Sequence, residues 1–295
     1  MADRIPAARL SDLIRRPAIE YPAWIGPVVL PKGGVLLFGG HSKIGKSFQA
    51  LEMARALSTG TDLFGYHGFP AQEAKVLILE REIGEYGLQS RAKEVFKYED
   101  LDKIADNLWY VSQDPDLSLD THGGLGKICD HIDRTGAQVL ILDPISHMHS
   151  QDENDNSAIT KVFNNIEIIR KQFRGRDLSV VIAHHFGKPP GGKYADFYDD
   201  LSFHNFRGAS KFFSAPDTIC TSARLEELPL EWEAWRLKMR FICRHGESPP
   251  EMYLTVNQMK DLRVRWERNS QQKKPVVPLT GERRISFSPA TATGR

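Results

Sequence analysis

The chain has 295 residues, enough for one large domain with appendages and a sizeable core, and its 41% hydrophobic and 26% charged content excludes a disordered, collagenous or membrane chain. Lys plus Arg number 39 against 38 Asp plus Glu, a formal charge of +1, so any nucleic-acid contact must come from a local patch rather than bulk charge. Three widely spaced cysteines, Cys129, Cys220 and Cys243, form no C-x-x-C pair and are too few to staple such a chain, which predicts buried reduced thiols and a cytoplasmic setting.

Residues 1–32 carry Pro6, Pro17, Pro22, Pro27 and Pro31, which break any long helix and predict an extended lead-in with one short helical turn. The start, Met1-Ala-Asp-Arg-Ile-Pro, has no basic segment followed by an apolar core, so no secretory signal is expected. No apolar run approaches the ~20 residues that span a bilayer, and no membrane partner is expected. Tyr21, Trp24 and Ile25 are expected to pack on the domain behind them. Val35–Phe38 is then all apolar between Gly33-Gly34 and Gly39-Gly40, the mark of a strand buried on both faces. The same punctuation recurs at Val76–Leu79, Leu108–Val111, Val139–Leu142 and Leu178–Ala183. Helical spacing fills the gaps at Phe48–Leu57, Tyr86–Phe96, Leu125–Ile132 and Ile159–Phe173. Strands alternating with helices predict an α/β domain with a mainly parallel central sheet and helices on both faces. Past Gly187–Asp200, a Gly- and Pro-rich loop, Thr218–Cys220, Leu237–Cys243 and Met252–Val256 read as antiparallel strands added at the C-terminal end of that sheet. From about Asn269 no apolar period remains, so the expected division is a lead-in over 1–32, the α/β domain over 33–265 and a mobile basic tail over 266–295.

The strongest chemical signal is Gly40-His41-Ser42-Lys43-Ile44-Gly45-Lys46-Ser47, which fits the phosphate-binding pattern G-x-x-x-x-G-K-[ST] and lies between a strand and the helix that opens at Phe48. In that context backbone N–H groups converge on phosphate oxygens and the helix N-terminus adds partial positive charge. Lys46 is expected to reach the β- and γ-phosphates of ATP and Ser47 to hold Mg²⁺. Asp143, an acid at the end of an apolar strand, is the expected second Mg²⁺ residue. Hydrolysis also needs a group that orients and deprotonates water, and the second strand runs into Glu80-Arg81-Glu82, where either glutamate qualifies if that strand neighbours the first. The fifth strand ends in His184-His185, at the edge where open α/β sheets bind ligands. No nearby Cys/His set completes a zinc site there. Phe206-Arg207-Gly-Ala-Ser210-Lys211 offers two cations flanking small residues.

In this order the motifs resemble those of the RecA-like P-loop ATPases, most closely the branch of RepA-type hexameric replicative helicases of plasmids and their phage relatives. The resemblance runs from about Trp24 to Thr221. It rests on Pro31–Gly40 with the phosphate loop, Val76–Glu82 followed by Arg91, Leu142–Asn154, His184–Lys188 and Arg207–Ser210. It implies a RecA-like fold and a homo-oligomeric ring, a hexamer in relatives, that couples Mg²⁺-dependent ATP hydrolysis to movement on single-stranded DNA, with replication or recombination proteins as partners. It also implies Glu82 rather than Glu80 as the group on the attacking water, His185 as the γ-phosphate sensor, and Arg207 as a finger acting on a neighbour's ATP, with Lys211 as its companion. Two features depart from the pattern. Ile83 stands where many relatives have an acid or serine, and the stretch 187–205 is longer than usual. In the latter, Lys188, Lys193, Tyr194, Phe197 and Tyr198 could meet DNA, but Asp196, Asp199 and Asp200 oppose them. His147, His149 and Lys161 form the other candidate channel region, diluted by Asp152, Glu153 and Asp155, and the tail adds Lys273, Lys274, Arg283, Arg284 and Arg295. The alternative reading is a RecA-like recombination or assembly ATPase that switches partners without unwinding. A non-hydrolytic binding module fits less well, because it has no physical need for Glu82, His185 and Arg207 together.

Overall fold

A computed structural model describes residues 9–17, 21–97, 100–187, 201–206, 208, 210–225, 234–258 and 264–269. In chain order these form α1 (Leu10–Ile14), β1 (Ala23–Ile25), β2 (Leu30–Pro31), β3 (Val35–Gly40), α2 (Lys46–Thr59), β4 (Val76–Glu80), α3 (Gly84–Val95), α4 (Leu101–Ile104) and β5 (Leu108–Ser112). There follow α5 (His122–Thr135), β6 (Val139–Asp143), α6 (Asn156–Gln172), β7 (Ser179–His185), α7 (Lys211–Ser214), β8 (Thr218–Arg224), β9 (Ala234–Cys243), β10 (Met252–Gln258) and β11 (Val264–Asn269).

Among the described residues nine strands form one sheet in the order β11-β10-β9-β8-β3-β7-β6-β4-β5. From β8 to β5 the neighbours are parallel, and β8-β9-β10-β11 are joined antiparallel. The apolar runs alternate between two cores, as a period of two residues requires when both faces are covered. Leu36, Phe38, Val76, Ile78, Val139, Ile141, Val181 and Ala183 join α2 and α3 on one face. Val35, Leu37, Leu77, Leu79, Leu140, Leu142, Val180 and Ile182 join α5 and α6 on the other. α5 starts where Thr121 Oγ1 accepts the Gly124 N–H, and α6 starts where Asp155 accepts from Ser157 and Ala158.

The lead-in packs as expected at Trp24 and Ile25, which are buried. Trp24 Nε1 donates to the Asp177 carbonyl at 3.1 Å. Tyr21 stays half-exposed but stacks on His245, with ring centroids 4.3 Å apart. The structure departs from the sequence reading or settles what it left open at several points: β5 is the outer strand and only partly buried, and β8 runs parallel to β3 and antiparallel only to β9. β4 does not neighbour β3, because β7 and β6 lie between them. β11 continues the sheet past residue 265, since Val264–Asn269 pairs with β10 although no apolar run marks it. Of the cysteines only Cys220 is buried; Cys129 and Cys243 are partly exposed, and all three are free thiols. The loop over 188–200 and the tail over 270–295 lie outside the described residues. Among the described residues no helix is long and apolar enough to cross a membrane.

Candidate active site

The site is built at the C-terminal edge of β3, β7, β6 and β4. The phosphate loop leaves β3 at Gly40, where an added Cβ would meet Ile44 Cδ1 at 2.1 Å and the Ser222 carbonyl oxygen at 2.4 Å, so the chain can pass there only as glycine. Lys43 and Gly45 take positive φ, 63° and 88°, before α2 opens at Lys46, the kind of backbone turn in which successive N–H groups can form an anion-binding concavity. His41 is buried edge-to-face on Phe186, Ile44 is buried beneath the loop, and Ser42 is exposed at its apex. Phe48 follows in the first turn of α2, with the Arg91 guanidinium 5.8 Å from its ring centre. Lys46 Nζ donates to the carbonyls of Gly40 at 3.2 Å and His41 at 2.9 Å. Burial pushes this ammonium down to about 8, against the opposing pull of Asp143 and Glu82.

β6 delivers Asp143 opposite Glu80 of β4, and burial, reinforced by the negative charge of Glu82, raises the Asp143 carboxyl to about 6 although the Ser47 hydroxyl donates to it. A hydroxyl and a carboxylate held together beside a phosphate loop, in a pocket that strains the carboxylate's charge, form a donor pair suited to Mg²⁺, which takes few protein ligands and completes its shell with phosphate and water. The raised value has a measurable consequence. The folded state resists ionising Asp143, so this residue's contribution to stability falls as pH rises from about 4 through about 6. Asp143→Asn is therefore expected to stabilise the metal-free protein at pH 7 by about 2 kcal/mol. Denaturant titrations should show that gain shrinking toward pH 4, and the same variant should lose Mg²⁺-dependent nucleotide binding.

The two glutamates separate cleanly. Glu80 is buried, and its carboxylate accepts the N–H groups of Glu82 and Ile83, that of Gly84 at 3.0 Å, and the Ser112 hydroxyl at 3.0 Å. It caps the start of α3, where a negative charge is favoured, and has no face left for water. Glu82 stands on the turn so formed, with its side chain 43% exposed and Oε2 3.9 Å from His185 Nε2. Although β4 is three strands from β3, Glu82 overhangs the strand end far enough to act on both Asp143 and Lys46. His185 sits opposite Gly40 in the β3–β7 register, beside the phosphate loop. Its neighbour His184 points the other way and is fully buried, stacked on Phe212 at 4.2 Å.

The structure thus brings together Lys46, Ser47, Asp143, Glu82 and His185. Arg207 lies outside the described residues; Lys211 opens α7. Two supports had no signal in the sequence. Arg224 Nη2 donates to the Lys43 carbonyl at 2.7 Å. Arg81 Nη1 donates to the Leu117 carbonyl at 2.8 Å, and the Arg81 carbonyl accepts from His147 Nδ1 at 3.1 Å, which fixes the turn bearing Glu82. Asp120 clasps the loop after His147: burial pushes its carboxyl up, but hydrogen bonds from Gln151, Ser118 and Ser150 outweigh that and hold it well below the ordinary carboxylate range. Among the described residues no cluster of three or more His, Cys, Asp or Glu side chains is arranged to hold a metal by itself.

The sequence profile of the family described as AAA domain matches residues 4–191, well over half of the chain. No curated protein matches the sequence. Among solved structures, that of a DnaB-like replicative helicase, described with its interactions with primase, is similar at a TM-score of 0.54 and 12% identity, over 79% of this chain and 57% of that one. At that identity the likeness is one of fold, and this chain spans little more than half of the helicase's length.

Proposed function

We propose, for a chain that belongs to the AAA domain family and has the RecA-like P-loop fold, the function of a ring-forming, Mg²⁺-dependent ATP hydrolase that acts on single-stranded DNA, a helicase or translocase of the replicative type. The observation that carries the reading is the meeting of Lys46, Ser47, Asp143, Glu82 and His185 at one sheet edge while Glu80 is spent on the turn. Lys46 would exchange its two loop carbonyls for β- and γ-phosphate oxygens. Ser47 and Asp143 would hold Mg²⁺, which screens phosphate charge when bound. Glu82 would orient the attacking water and take its proton, and His185, next to both Glu82 and the loop, would report the presence of the γ-phosphate.

Within one chain, Lys46 faces the negative charge of Asp143 and Glu82 even before a nucleotide arrives. A further cation is needed as charge develops in the transition state, and Arg207 of a neighbouring copy is the residue the sequence offers. Closure into a ring, six-membered in the family branch the sequence resembles, would supply one such finger per site. For DNA, His147 and His149 line, with Arg81 and Lys127, a groove that also holds Asp116 and Asp120 and in which Lys127 is paired with Asp116. The His147–Arg81 hydrogen bond gives a strand bound there a direct route to the Glu82 turn. The chain would meet replication or recombination proteins as partners through such a ring.

Arg207→Ala is expected to leave the nucleotide affinity of isolated subunits nearly intact and to lower turnover by roughly 10³-fold. Mixing Arg207→Ala with Lys46→Ala subunits should restore part of the activity, because an intact finger then meets an intact loop. A mixture as inactive as its parts would contradict action in trans.

A further inference from the structure

The phosphate loop takes, at Lys43, a backbone conformation that an L side chain disfavours. Lys43 has φ 63°, the left-handed region in which an L side chain is disfavoured and glycine or asparagine would be usual. Within the loop Ser42 and Lys43 form a turn, and Lys46 Nζ takes the Gly40 and His41 carbonyls rather than that of Lys43, whose side chain is exposed. A further support comes from the strand beside β3. β8 runs parallel to β3 with Ser222 opposite Gly40, so Arg224 emerges two residues beyond the point where the loop begins. Its guanidinium is buried, 6% exposed for the residue, and Nη2 donates to the Lys43 carbonyl at 2.7 Å. The same strand grips the other end of the loop, where the buried Ser222 hydroxyl donates to Gln49 Oε1 at 2.9 Å in the first turn of α2.

We propose that Arg224 is a positioning residue for the phosphate loop: by holding the Lys43 carbonyl outward, it keeps the loop N–H groups turned inward before any nucleotide binds. The phosphate-bearing ligand then meets a formed cradle and does not have to order one. This rests on the nucleotide-site reading above. The mechanism is backbone preorganisation, so it makes a claim that neither general destabilisation nor a long-range charge effect makes. Once residue 43 can adopt positive φ without strain, Arg224 should matter much less.

The test is a double-variant cycle on the full chain, reading equilibrium binding of a fluorescent ATP analogue with Mg²⁺ and the steady-state KM and kcat for ATP. Arg224→Met should weaken nucleotide binding and raise KM by roughly tenfold, the loss of one charge-assisted hydrogen bond, with kcat changed far less. In a Lys43→Gly background the same Arg224→Met change should weaken binding by less than about threefold. Should Arg224→Met fail to fold, Arg224→Lys carries the same comparison. Undiminished affinity in the Arg224 variant, or an equal penalty in both backgrounds, overturns the proposal while wild type still binds nucleotide. A wild-type chain that binds no nucleotide overturns the underlying site reading as well.

Discussion

Glu82→Gln is expected to bind Mg²⁺-ATP about as tightly as the wild type and to hydrolyse it roughly 10³-fold more slowly, the usual loss when a positioned general base is removed. Glu80 is nearer the strand, yet its two oxygens are taken by three backbone N–H groups and the Ser112 hydroxyl. Glu82 carries no such load, faces His185 at 3.9 Å, and pushes up the Asp143 carboxyl by its charge. Glu80→Gln should therefore differ in kind. It loosens the start of α3, lowers the thermal midpoint, and reduces kcat only as far as Glu82 is displaced. Single-turnover hydrolysis with a parallel melting curve separates the two. Full turnover in Glu82→Gln would return the role to Glu80.

The second large effect belongs to Lys46. Lys46→Ala should weaken nucleotide binding by roughly 10²-fold or more, about 3 kcal/mol, the range found when one partner of a buried charge pair is truncated. Its ammonium is buried, already carries the pull of Asp143 and Glu82, and is held on the carbonyls of Gly40 and His41, ready to move to phosphate. Without it the site keeps two carboxylates facing an incoming polyanion. Isothermal titration with Mg²⁺-ATP checks this, and wild-type affinity in Lys46→Ala would deny the loop its phosphate role.

Much of this site was legible in the residues. Gly40–Ser47 announces itself because close backbone approach, a helix start and a cation must coincide at fixed spacing. The four inner strands β3, β4, β6 and β7 are legible because two-faced burial leaves no polar positions, while the apolar run of β5 lies at the sheet edge; Asp143 and the pair His184-His185 follow as the first titratable groups past such runs. What the sequence could not supply was lateral order. Periodicity says that Val76–Leu79 is a strand but not that β6 and β7 separate it from β3, so the geometry by which Glu82 reaches the loop had to come from the sheet. The choice between Glu80 and Glu82 was open for the same reason: it depends on Ser112, which β5 brings alongside. Arg224 left no trace, since an arginine after a strand has no periodic or motif signature and its partner is a backbone carbonyl 181 residues away. β11 was missed because half of Val264-Arg-Trp-Glu-Arg-Asn269 is charged and its strand state depends on pairing with β10.

The most direct test of the central claim is steady-state Mg²⁺-ATP hydrolysis by the full chain with and without single-stranded DNA, paired with mass determination in the presence of a non-hydrolysable ATP analogue. The account predicts a ring-sized mass with nucleotide and a rate that rises strongly on adding single-stranded DNA. A persistent monomer, or slow turnover indifferent to DNA, would contradict the motor and favour the partner-switching ATPase.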